Sequence, residues 1–146
     1  MKKILILLVI VLLLAGCAGG GNSDDGDIVE ISERFFITEM MHINRNAEDY
    51  VGRTVRYEGM FRTLHWAATG EDYYMVLRNV MDCCGDDGII GYEIYLGNIA
   101  PFPDDAWVEV TGVLEFYEVG GGMQFLRVVA TSIRELDVRG AEFVQP

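Results

Sequence analysis

The chain has 146 residues, 51% of them apolar, and a formal charge of −12. One domain fits that length once a targeting segment is set aside. From Cys17 onward there are nine Arg, no Lys and 23 Asp plus Glu, a net −14 that excludes non-specific nucleic-acid binding and attachment to lipid through a basic patch. Seven Tyr, seven Phe and two Trp supply core material, so most of the chain is not disordered.

Met1-Lys2-Lys3 is a short basic start, and Ile4 to Ala15 is an unbroken apolar run. The run is shorter than the roughly 20 residues a membrane-spanning helix needs. It has the anatomy of a secretory signal. Leu14-Ala15-Gly16-Cys17 resembles the bacterial lipobox, which implies cleavage before Cys17 and lipid on its thiol. Acyl chains such as palmitate hold a protein to a membrane at about 0.8 kcal/mol per buried methylene. The expected organisation is a signal peptide over 1–16, a flexible acidic, Gly-rich tether over 17–29 and a folded domain over 30–146. The expected place is the extracytoplasmic side of a membrane, with the outer membrane included for a diderm host.

Phe35, Phe36, Met40 and Ile43 recur at helical spacing and predict a helix over about 32–43. Asn46 to Gly52 carries an N-cap residue, early acids and a closing glycine, the signs of one short helical turn. Alternating patterns then predict five strands, over 54–62, 73–78, 91–96, 107–116 and 123–133. Val55, Tyr57 and Phe61 share the inner face of the first; Val108, Val110, Leu114 and Phe116 share that of the fourth. Gly59 and Gly112 sit mid-strand, where a small closed barrel needs sharp bends. A small helix is expected near 97–100. The predicted fold is mainly β: a small five-stranded OB-like barrel with an N-terminal helix. A small open β-sandwich is the alternative.

Concentrated chemistry lies in Arg78-Asn79-Val80-Met81-Asp82-Cys83-Cys84-Gly85-Asp86-Asp87-Gly88, between the second and third strands. Three arrangements compete there. Cys83 and Cys84 close a strained vicinal disulfide, in a compartment that permits it. Or their thiolates, with Asp86 and Asp87 and with His65 from a neighbouring loop, hold zinc. Or the segment is a structural turn with solvated acids. His42 is a weaker zinc candidate, on the helix. Calcium fits poorly, because the EF-hand spacing is missing. Arg78 is expected to pair with Asp82 or Asp87 or to orient a carboxylate at the metal. Trp107 and Tyr73, Tyr74, Tyr92 and Tyr95 offer rings for stacking bases or sugars, or else belong to core and shell. No G-x-S-x-G elbow, P-loop or H-E-x-x-H is present, so the chain is read as a non-enzyme. A cysteine nucleophile would need a nearby histidine base.

Tyr50-Val51-Gly52-Arg53-Thr54-Val55, Gly59, Arg78, Met81-x-Cys83-Cys84-x-x-Asp87, Gly91 and Trp107-Val108-x-Val110-x-Gly112 together resemble the C-terminal soluble domain of the YcgQ-like membrane proteins. The resemblance covers roughly residues 45–115. It implies a domain of unknown function, encoded beside a predicted permease, with Arg78, Cys83, Cys84 and Asp87 as signature positions. Asp86 departs from the pattern, standing where the family tends to carry a small apolar residue. A lipid anchor takes the place of the family's transmembrane helices. The function expected is a membrane-anchored binding or accessory module of an envelope transport system, with a permease partner, that captures zinc at the Cys83-Cys84 loop. The alternative is a protein-interaction module in which a vicinal disulfide forms a structural turn.

Overall fold

The computed structural model describes residues 28–67, 70–81 and 88–145. Strand β1 is Ile28–Glu30; a 3-10 turn at Glu33–Phe35 leads into helix α1, Phe36–Arg45, and the short helix α2, Ala47–Tyr50. Five long strands follow: β2 (Thr54–Trp66), β3 (Glu71–Val80), β4 (Gly88–Tyr95), β5 (Trp107–Val119) and β6 (Met123–Glu135). The two-residue β7 is Phe143–Val144.

Closure comes from β2. Its first half pairs antiparallel with β5, from Thr54↔Val113 to Met60↔Trp107, and its second half with β3, from Met60↔Leu77 to Trp66↔Glu71. The ring is completed through β3–β4, β4–β6 and β6–β5, and within this ring only β4 and β6 run parallel. A five-stranded barrel with this connectivity is the OB arrangement, as the sequence predicts. Gly59 immediately precedes the residue where β2 changes partner. A Cβ there would lie 2.8 Å from the Leu77 carbonyl oxygen, so a larger residue would hold the two strands apart. Gly112 sits at the register shift between β5 and β6. Both mid-strand glycines therefore serve the bends expected of them.

Inside the barrel Val55, Tyr57, Phe61, Val76, Tyr92, Ile94, Val108, Val110, Leu114 and Val128 form one buried cluster. The Tyr57 hydroxyl is buried with it. It donates to the Val76 carbonyl (3.0 Å) and accepts from the Tyr92 N–H (3.3 Å), tying β2 to two strands at once. Helix α1 plugs the barrel with Phe36, Ile37, Met40 and Ile43, a stripe at helical spacing. The small helix expected at 97–100 is instead a turn closed by Ile99 N–H to Leu96 O, 2.9 Å. Gly97 there has φ +57, and Pro101 and Pro103 follow, so no helix propagates. The N-terminal helix takes the plugging role.

Two expected inner residues lie outside. Phe35 is 52% exposed and Phe116 37%. Phe35 belongs to the 3-10 turn, ahead of the α1 stripe. Phe116 lies where the β5–β6 hairpin runs on past the barrel wall. Short flanking strands complete the edges: β1 lies parallel to β2, with a Glu30–Arg56 ion pair, and β7 lies parallel to β3. Ile28 and Val29, assigned to the tether by sequence, are paired residues of β1.

Candidate functional site

Cys17 and the segment Asp82, Cys83, Cys84, Gly85, Asp86 and Asp87 lie outside the described residues. Both roots of that segment are described. β3 and β4 stay paired to Val80↔Gly88, so seven residues, 81–87, join the strands. The C-terminal stretch braces the root from the other side. Asn79 N–H donates to Glu142 O (2.9 Å) and Met81 N–H to Val144 O (3.1 Å).

Arg78, two residues before the root ends, is 1% exposed. Its guanidinium lies between two rings, 4.5 Å from the Phe36 centroid and 4.9 Å from that of Trp107. Nε donates to the Glu58 carbonyl (3.0 Å); Nη1 donates to the Ala141 carbonyl (3.1 Å) and the Glu33 carboxylate (3.2 Å). Burial pushes its pKa down, and the Glu33 and Glu58 carboxylates push back. An arginine stays charged through shifts of this kind. The sequence offered Asp82 or Asp87 as partner; among the described residues the partners are these three. Arg78 thus binds β3 to β2, to the start of α1 and to the strap that carries β7. Its chemistry is that of a buried staple that ties these segments together.

Glu33 is the outer end of the staple. Its Oε2 accepts from the Ala141 N–H (2.9 Å) as well as from Arg78. The Ala141 bond holds the Glu33 carboxyl below the ordinary carboxylate range; partial burial opposes this and the Arg78 charge adds to it. A pKa lowered by folding contributes stability at higher pH that is lost as pH falls through the lowered value. The stability difference between wild type and Glu33→Gln should therefore shrink from about pH 6 to about pH 3. Urea midpoints across that range measure it; a pH-independent difference would deny Glu33 this role.

His65 is on β2 opposite Asp72, and its Nδ1 lies 2.9 Å from the Asp72 carboxylate. Asp72 is the second residue of β3, and Val80, at the root of segment 81–87, is its last. His42 lies on α1, with Nδ1 3.5 Å from the Asn46 amide nitrogen. Among the described residues no group of three or more His, Cys, Asp or Glu side chains is arranged to hold a metal. Of the proposed stacking rings, Trp107 and Tyr92 are buried, and Tyr74 stacks on Phe61 at 5.6 Å. Tyr95 is half exposed beneath Arg127.

Sequence reasoning missed Glu33, Trp107 and the Ala141 carbonyl as partners of Arg78. One signal was present: an arginine inside the strand Tyr73-Tyr74-Met75-Val76-Leu77-Arg78, which packs on both faces.

Closed barrel and helical plug define an OB-class domain. The chain belongs to the DUF1980 C-terminal domain family, whose pattern matches residues 21–137. Residues 1–18 match the prokaryotic membrane lipoprotein lipid attachment site, which includes Cys17, so the chain is a membrane-anchored lipoprotein. Neither matching family describes an enzyme. No curated protein matches the chain. Among solved structures it is similar to the N-terminal domain of the PriB protein from Thermoanaerobacter tencongensis, a dimeric structure. The two are 19% identical over 58% of this chain and 97% of that chain, with a TM-score of 0.35. Among the described residues no helix is long and apolar enough to cross a membrane.

Proposed function

We propose that this lipoprotein is an extracytoplasmic binding module of an envelope transport system, presenting the Cys83-Cys84 loop to capture a divalent ion. Zinc suits the donors best: two thiolates from Cys83 and Cys84 and the carboxylates of Asp86 and Asp87. The observation that carries this reading is the frame. A loop with reactive side chains stands on a hairpin whose root is locked by a buried arginine and by the β7 strap. Rigid roots lower the ordering cost of binding. A permease partner follows from the family resemblance.

Protein purified in full length without chelator should carry about one zinc per chain, and Cys83→Ser/Cys84→Ser should lose it. Absence of zinc in both proteins, with no added zinc bound, would overturn the proposal. Intact mass after alkylation gives the second reading its test. Two labels that appear only after reduction mark a vicinal disulfide, and the module then works as an interaction surface with a stiff turn.

A further inference from the structure

The barrel wall opens beside the short seam between β4 and β6. Parallel pairing of β4 with β6 covers only Glu93↔Arg127 to Tyr95↔Val129. Where it stops, side chains line an open groove of about 470 Å³. Trp66, Tyr73, Tyr117 and Phe125 lie along it together with Glu93. The rings meet in two pairs, Trp66 with Tyr73 at 6.4 Å and Tyr117 with Phe125 at 6.2 Å. A second cleft of about 710 Å³ shares Gly91, Phe125 and Leu126 with the first and runs on to Asn44, Asn46 and Gln124. Aromatic faces thus lead directly into planar amides.

We propose that this joined groove binds a neutral oligosaccharide. Pyranose rings present C–H faces that stack on aromatic side chains, and their vicinal hydroxyls bond in pairs to amides and carboxylates. Barrels of this class take oligonucleotides or oligosaccharides across their second and third strands, here β3 and β4. Charge selects between the two. The mature chain is strongly acidic, and the groove offers little to a phosphate. His65 at its rim is held by Asp72. Arg127 lies over Tyr117 and Tyr95, at 4.6 and 4.7 Å, and pairs with Glu115 at 2.7 Å. Arg45, in the second cleft, has Glu48 and Asp49 beside it. A cationic ligand is disfavoured as well, because the Arg127 guanidinium already occupies the Tyr117 ring. Glu93 accepts from the Tyr117 hydroxyl and is otherwise without a hydrogen-bond partner among the described residues, which leaves an acceptor for a sugar hydroxyl.

Calorimetric titration of the full-length lipoprotein tests this, in a detergent without a sugar headgroup. The probes are tetra-N-acetylchitotetraose and cellotetraose. At least one should bind saturably. Trp66→Ala and Phe125→Ala should each weaken binding about tenfold or more, a loss in the range of a stacking contact. Phe143→Ala, on β7 beside Asn79, should leave it unchanged. Circular dichroism confirms that each variant is folded, and Glu93→Gln replaces any that is not, with several-fold weakening expected. No saturable heat with either sugar would overturn the proposal, as would undiminished binding in the folded Trp66 and Phe125 variants. Saturable binding of choline or of tetra-alanine in place of the sugars would also overturn it. None of these results depends on the metal content of the cysteine loop.

Discussion

Arg78→Ala is expected to destabilise the domain by about 4 kcal/mol, read as a lower urea midpoint with an unchanged slope. Two bonds from the charged guanidinium to main-chain carbonyls are lost, each worth about 1.5–3 kcal/mol. Stacking between Phe36 and Trp107 is lost too, at about 0.5–2 kcal/mol per ring. Relief from desolvating the charge offsets part of this, which is why the total is well below the sum of the losses. The ion pair is the minor component. Glu33 is half exposed, so a double-mutant cycle of Arg78→Ala with Glu33→Gln should give a coupling of about 1 kcal/mol or less. Arg78→Lys should recover less than half of the loss, since an ammonium neither stacks as a plane nor reaches both carbonyls. The local effect is more telling than the global one. Without Arg78 the strap loses its bond at Ala141, and the amides of Asn79 and Met81, which donate to that strap, should exchange with solvent faster than the β2–β5 amides. Equal acceleration everywhere would mean that Arg78 holds the whole barrel and not the root of the loop.

This explains why the arginine was legible as important and illegible in its role. Its partners lie 45 and 63 residues away, and nothing local in the sequence brings Glu33 or Ala141 to β3. The five barrel strands were legible because half-buried strands alternate with period two, and Val55, Tyr57 and Phe61 obey that period. The same period misplaced Phe116. Alternation continues along a strand after the barrel wall has ended, so it records the side of a sheet and not its edge. β1 and β7 escaped notice because two or three residues carry no period. The convergence of barrel loops at one end is what makes His65 a zinc candidate in the sequence. The β2–β3 hairpin puts it beside Asp72.

Gly112→Ala is expected to cost about 3 kcal/mol or more, because the added carbon meets backbone that has nowhere to go. It would stand 2.3 Å from the Val129 carbonyl oxygen and 2.6 Å from Val128 Cγ1, at the register shift where β5 crosses β6. A flexible side-chain tip could yield; a ladder carbonyl in the barrel wall yields only if the register does. Gly91→Ala should be as severe, with Val76 O at 2.2 Å and Leu77 Cα at 2.6 Å. Gly120→Ala, with nothing within 4 Å, should change stability by no more than about 0.5 kcal/mol and serves as the control for the loss of a glycine as such. Thermal midpoints of the three variants give the comparison. If Gly112→Ala and Gly120→Ala behaved alike, close approach of β5 to β6 would not be what requires a glycine at 112, and the bend at Thr111/Gly112 would have to come from the bulge alone.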